Sequence, residues 1–192
     1  MFVMLAHAFS KRAMFFCAVT VFACVALGPQ NVVAQTRTRA APARPASAPE
    51  PVVTQPQIDG KTIDGNPFKL SSLKSKVVLV MYWSTGCAVC RDKMPELRSN
   101  YEAWMGKPFE LVAISIDSRV QDLWDYERII SRTVPIKQRF VQLRSGENDY
   151  EDNVGRHVQL PSAYLVDKTG KIVARYTGRI PAAAWDKIAD LL

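Results

Sequence analysis

The chain has 192 residues and a formal charge of +7. That charge is dispersed: Lys11 and Arg12 lie in an N-terminal leader, Arg37, Arg39 and Arg44 in a proline-rich stretch, and the remainder is mildly basic with no basic stripe. The composition therefore argues against a nucleic-acid partner, and no internal repeat is present.

Residues 1–34 read as a signal peptide. Lys11 and Arg12 form a basic n-region, Ala13 to Leu27 an apolar h-region, and Val32-Val33-Ala34 places small residues at −3 and −1 before Gln35. The alternative is a retained anchor, for which the apolar run of roughly 15 residues is short of the ~20 that span a bilayer. Cys24 invites a lipoprotein reading, which Phe22 fits poorly. Residues 35–57, with Pro42, Pro45, Pro49, Pro51 and Pro56, read as a flexible linker. Residues 58–192 suffice for one domain with one core.

Within that domain, Lys61 to Phe68 predicts a hairpin or turn at Asp64-Gly65, and Leu70 to Leu73 a short turn. Val77 to Trp83 has the near-continuous apolar pattern of a central parallel strand. From Cys87 to about Met105 the spacing of Met94, Leu97, Tyr101 and Trp104 predicts a helix, with a kink expected at Pro95. Phe109 to Asp117 predicts a strand, Gln121 to Arg132 a helix, and Val134 to Leu143 a short extra strand. Gly146 to about Val158 mixes turn and helix signals. Ser162 to Asp167 and Lys171 to Tyr176, joined by Lys168-Thr169-Gly170, predict an antiparallel hairpin, and Pro181 to Leu192 a closing helix. This order implies an α/β sandwich with a mixed sheet.

The chemistry is concentrated in Trp83-Ser84-Thr85-Gly86-Cys87-Ala88-Val89-Cys90, where a buried strand delivers two cysteines to a helix N-terminus. Unpaired N–H groups and partial positive charge there favour a thiolate at the first sulfur. The second cysteine, one turn along, lies on the same face and can close a short disulfide. Cys17 and Cys24 sit in the h-region and leave with it, so the mature chain holds only Cys87 and Cys90. A bridge across so small a loop restricts little unfolded-chain entropy, which makes a purely stabilising staple a weak explanation.

These segments resemble the thioredoxin fold, and more closely the TlpA/ResA-like branch of exported thiol–disulfide oxidoreductases. The resemblance covers about residues 58–192. It rests on the strand ending in Tyr82-Trp83-Ser84, the Cys87-Ala88-Val89-Cys90 motif, Met94-Pro95, Leu111 to Asp117, and the stretch from Leu160-Pro161 to Ile172. It implies a thioredoxin-like three-layer sandwich in which Cys87 is the nucleophile and Cys90 the resolving thiol. Pro161 matches the family's cis-proline, and Leu160 before it is expected to present its backbone to an extended client strand. The implied cofactor is none beyond the Cys87–Cys90 redox-active disulfide. The implied partners are protein disulfide substrates and a membrane thiol electron donor, with a monomeric protein in a periplasmic or other extracytoplasmic compartment. A role as reductant in cytochrome c maturation is the family expectation.

The chain departs from the family pattern at four places. Gly86 stands where a tryptophan is usual, which opens access to Cys87 and makes Gly86 a candidate substrate-binding position. Val89 replaces a common proline. Met81 occupies the place of the buried aspartate of thioredoxins, and Lys93 that of a glutamate frequent in the TlpA/ResA-like branch, leaving the proton acceptor for the resolving thiol open. Asp92 and Glu96 are read as helix-surface charges. The main alternative is a copper-binding module using both cysteines and His157. A zinc site lacks ligands, a peroxidase lacks the upstream threonine–proline motif, and a binding module would treat the cysteines as incidental.

Overall fold

The computed structural model describes residues 53–157 and 159–192. The signal-like segment and residues 35–52 of the linker lie outside the described residues. At the centre is strand β3 (Val77–Trp83), all seven residues of which are buried. It runs parallel to β4 (Phe109–Ser115), which in turn runs parallel to β5 (Val141–Arg144). On its other side β3 pairs antiparallel with β7 (Ser162–Val166), the first strand of a hairpin with β8 (Ile172–Thr177). The sheet order is β5-β4-β3-β7-β8. A strand with neighbours on both edges and layers on both faces has no polar face to show, which accounts for the unbroken Val-Val-Leu-Val-Met-Tyr-Trp run.

Alternation along β3 divides the core. Val77, Leu79, Met81 and Trp83 point to three helices, α1 (Ala88–Ala103), α2 (Val120–Thr133) and α3 (Ala183–Leu191), and meet Met94 and Leu97, Leu123, and Ala184 and Ile188 from them. Complete burial of side chains such as Leu97, Leu123 and Ile188 stabilises the helix layer by about 1.5–3 kcal/mol each. Val78, Val80 and Tyr82 point the other way, into a second core with Ile58, Phe68, Leu70 and Val154. Over that face lies a small antiparallel sheet, β2-β1-β6, made of β1 (Ile58–Lys61), β2 (Pro67–Lys69) and β6 (Glu151–Asp152). The three layers and mixed central sheet expected from the sequence are present.

The expected turn at Asp64-Gly65 joins β1 to β2, with Gly65 at φ +83°, a conformation that favours glycine. Helix α1 runs unbroken through Pro95. Three sequence expectations change. The segment after Gly146 holds no helix among the described residues; it carries β6, paired with Ile58 and Asp59. Local side-chain acceptors compete with a helix here: Asn153 Oδ1 takes the Gln57 N–H at 2.8 Å, and Asp152 Oδ1 takes the Val154 N–H at 3.0 Å. Residues 53–57, given to the linker by composition, are bound to the domain. The Thr54 carbonyl accepts from Ile172 N–H at 2.8 Å, and the Gln57 carbonyl from Asn153 N–H at 3.2 Å. The extra strand expected after Val134 is preceded by a short 3-10 turn (Ile136–Gln138). Its outer edge is partly covered by a bridge between Thr62 and Leu143. Among the described residues no helix is long and apolar enough to cross a membrane.

Candidate active site

The site is built where β3 ends. Cys87 N–H donates to the Ser84 carbonyl at 3.1 Å, closing a tight turn over Thr85 and Gly86. Cys87 then takes extended backbone angles (φ −82°, ψ 104°) as the residue capping α1, and its Sγ accepts the Cys90 N–H at 3.1 Å. A helix start leaves its first N–H groups without partners, and a capping oxygen usually takes one of them. Here a sulfur does so, at the positive end of the helix, and a thiolate there is favoured over a thiol. Cys87 and Cys90 are joined in a disulfide with Cα atoms 5.2 Å apart. Cys90 is fully buried and Cys87 only half-buried, so attack from outside can reach only the first sulfur.

The turn that carries Cys87 is clamped from the neighbouring strand. Parallel pairing puts Trp83 opposite Ser115, which brings the ends of β3 and β4 side by side. Two residues beyond Ser115, the buried Asp117 accepts Thr85 N–H at 3.0 and 3.1 Å, Thr85 Oγ1 at 2.8 Å and Ser115 Oγ at 2.7 Å. Arg91, one turn into α1, adds a hydrogen bond to the Thr85 carbonyl. Sequence reasoning used Asp117 only as the end of a strand. The available signal was its position: a carboxylate leaving the strand parallel to the one that delivers the cysteines.

On the other flank the Leu160-Pro161 peptide bond is cis. The register Tyr82 to Ser162, continued by one step, sets Pro161 beside Trp83 and Leu160 beside Ser84. Pro161 is buried, and its carbonyl accepts the Gly178 N–H at 2.8 Å. Among the described residues neither backbone group of Leu160 makes a hydrogen bond. Cys87 and Leu160 pack against the same helix-side core. Of the residues singled out from sequence, Cys87, Cys90, Gly86, Leu160 and Pro161 thus meet at one end of the sheet.

A family profile matches residues 53–180. The chain belongs to the AhpC/TSA family. Its similarities are to the TlpA/ResA-like members with a thioredoxin fold. The thiol-disulfide oxidoreductase ResA of Bacillus cereus is 27% identical over 118 residues, 60% of this chain and 63% of that protein. The chain therefore spans less than two thirds of the length of that ResA relative. The thioredoxin-like protein YneN of Bacillus subtilis is 26% identical over 137 residues, 71% of this chain and 76% of that one. Among solved structures, the thioredoxin domain of a thiol-disulfide oxidoreductase from Bacteroides vulgatus superposes with a TM-score of 0.57 at 27% identity, covering 72% of this chain and 95% of that domain.

Against the family pattern, the surroundings of the buried sulfur are low in free carboxylate. Met81 is fully buried in the same apolar core as Cys90. Lys93, only 5% exposed, is held by Glu96, Nζ to Oε1 at 2.6 Å. Glu96 also accepts the Trp185 indole N–H. Burial pushes the Glu96 carboxyl up, but the hydrogen bonds from Lys93 and Trp185 outweigh it and hold the group below its usual range. Asp92 pairs with Arg179 at 2.6 Å in the open. Asp92 and Glu96, the α1 carboxylates next to the cysteine turn in sequence, are thus both engaged with cations.

His157 lies elsewhere. Its ring stacks on Tyr82, centroids 3.5 Å apart, and Tyr82 faces the layer opposite Cys90. The copper-binding alternative groups His157 with both cysteines, but the parity of β3 sets it on the other face from Cys90: Tyr82 and Trp83 project to opposite faces. Burial pushes the His157 imidazolium pKa down, against the nearby Asp152 carboxylate. Among the described residues no group of three or more His, Cys, Asp and Glu is placed to hold a metal ion.

Proposed function

We propose that this protein is an exported thiol–disulfide oxidoreductase that reduces disulfides in selected protein partners. The observation that carries the reading is the asymmetry of the cysteine pair. The half-buried Cys87 sulfur accepts a helix N-terminal N–H, while Cys90 is sealed behind it beside a cis Leu160-Pro161 bond.

In the forward direction the Cys87 thiolate attacks one sulfur of a client disulfide. A bond forms between Cys87 and the client, and the client's other sulfur leaves as a thiolate and takes up a proton. Cys90, losing its own proton, then attacks the Cys87 sulfur; the mixed disulfide breaks, and the second client sulfur leaves and is protonated. Two electrons and two protons have passed to the client, and Cys87–Cys90 is oxidised. A dithiol donor, in this reading a membrane thiol–disulfide carrier, restores the reduced pair by the same exchange in reverse. The helix N-terminus stabilises Cys87 as attacking group and as leaving group. The backbone of Leu160, without a hydrogen bond among the described residues, suits addition of an extended client strand.

The leader, the linker and the likeness to ResA support placing the protein outside the cytoplasm, where the reading takes it to act as a monomer. Apocytochrome c as one class of client enters this reading as the expectation that the family resemblance carries. The first test is the reduction potential of Cys87–Cys90 equilibrated against a glutathione or dithiothreitol series. A value near −270 mV is expected for a reductant fed by a dedicated donor, and a value near −120 mV overturns that direction in favour of an oxidant. The second test is chemical. Cys90→Ser is expected to accumulate a mixed disulfide through Cys87, and Cys87→Ser to lose exchange entirely. Retention of disulfide reduction by Cys87→Ser overturns the reading.

A further inference from the structure

Strand β3 has β7 on one side and β4 on the other, so the end that carries Cys87 has two flanks. The β7 flank holds Leu160-Pro161. The β4 flank holds an open groove of about 550 Å3, running from Gly86 across Ile116 to Arg119 and Asp122 at the start of α2. Nothing in the exchange chemistry described above uses it.

Gly86 forms the edge of this groove nearest the sulfur, and the fold gives no reason for a glycine there. The described glycines with positive φ are Gly65, Gly106, Gly155, Gly170 and Gly178, not Gly86. A Cβ built on Gly86 meets nothing within 4 Å. Neither backbone conformation nor packing calls for the missing side chain. The wall itself is held firmly, since Asp117 fixes Thr85 through both its N–H and its hydroxyl. The emptiness beside Cys87 is therefore a built feature of a clamped turn.

The ionised groups around the groove already have hydrogen-bond partners. Arg119 and Asp122 form a two-pronged pair at 3.0 and 2.7 Å. Asp117 is occupied by Thr85 and Ser115, and Asp125 by Gln121 and Arg128. Half-buried Ile116 supplies an apolar wall. A side chain that needs a polar partner finds those groups already engaged, whereas a bulky uncharged one finds space and apolar surface.

Resting on the oxidoreductase reading, we propose that this groove is a specificity subsite for the side chain next to the reacting cysteine of a client, that it takes a bulky uncharged residue, and that Gly86 sets its size. A client strand rises about 3.3 Å per residue. A client paired along Leu160 with its sulfur at Cys87 therefore carries its next residue across the turn to the β4 flank, over Gly86.

The test uses the reduced full-length protein and two disulfide peptides, identical except for tryptophan or glycine beside the cysteine. The quantity read is the ratio of their kcat/KM values within each variant. The wild type is expected to favour the tryptophan peptide by about tenfold, the lower end of what an apolar pocket discriminates. The ratio is expected to decline along the series Gly86→Ala, Gly86→Leu, Gly86→Trp as the groove fills. A wild-type ratio near one, or a ratio that does not decline by Gly86→Leu, overturns the subsite while leaving the oxidoreductase reading intact. Failure of the wild type to reduce either peptide overturns that reading, and the subsite with it.

Discussion

On the helix side of β3, Met81 and Trp83 lie among apolar side chains beneath the cysteines; on the opposite side, one residue away in sequence, Tyr82 lies in a polar cluster. Tyr82 Oη donates to Asp152 Oδ2 at 3.2 Å, Tyr150 Oη reaches Asp152 at 2.6 Å and Tyr82 at 3.2 Å, and His157 stacks on the Tyr82 ring. Arg175 sits 5.0 Å above the neighbouring Tyr164 ring. Burial raises the pKa of both the Tyr82 and Tyr150 hydroxyls, with Asp152 adding to the effect, which keeps them protonated donors. The contrast is between two ways of using polar groups. The polar face ties the small β2-β1-β6 sheet to the central one. The helix face leaves the buried sulfur in apolar surroundings and controls the outer sulfur through backbone donors and the turn that Asp117 holds.

The largest effect expected from this contrast is at the clamp. Asp117→Ala removes the acceptor of three donors and leaves the Thr85 N–H without its partner, which costs about 2–4 kcal/mol. Urea unfolding of the oxidised protein measures it. Tyr82→Phe, on the other face, removes a hydroxyl whose partners still bond to each other, because Tyr150 keeps Asp152. Its expected cost is about 1 kcal/mol, with no change in the Cys87–Cys90 potential. If Tyr82→Phe costs as much as Asp117→Ala, the clamp is not the anchor that sets the turn.

What the sequence revealed followed from periodicity and local chemistry. The unbroken run of β3 announced a strand covered on both faces, the spacing of Met94, Leu97 and Tyr101 announced α1, and Lys168-Thr169-Gly170 announced the hairpin turn. Asp167 confirms the last in physical terms: its carboxylate takes the N–H groups of Thr169 and Lys171 at 2.9 and 3.0 Å. What stayed hidden depends on register and parity across long separations. Asp117 reaches Thr85 only because β4 lies parallel to β3 with Ser115 opposite Trp83. Glu151 and Asp152 become a strand only because Ile58 and Asp59 lie beside them. The sides on which His157 and Cys90 fall depend on which residues of β3 face the helices, a choice the two-residue period leaves open until the layers are known.

The smallest predicted effect is a pH dependence that separates the two faces. His157 has no acceptor at its buried Nδ1 among the described residues, and burial lowers its pKa below the ordinary 6.5 against the pull of Asp152. Around it are the rings of Tyr82 and Tyr164, with Arg175 beyond the latter. The fold thus holds the neutral ring, and the unfolded chain binds the proton more readily. Stability is complete above about pH 6.5 and declines as the pH falls through that value towards the lower folded one. Glu127 works with the opposite sign. Burial raises its pKa above 4.5, so its contribution is complete below that value and is lost as the pH rises through the folded one. The two are separable by His157→Phe, which keeps an aromatic ring against Tyr82 and removes only the titrating group. Urea midpoints of wild type and variant are expected to run parallel above pH 7 and to diverge between pH 6.5 and 5, the wild type weakening more. The rate of disulfide exchange, once corrected for thiolate fraction, is expected to be the same in both proteins throughout. Midpoints that stay parallel across that range place the His157 proton in both states alike; a rate that follows the substitution couples the polar face to the cysteines, and the division of labour across β3 fails.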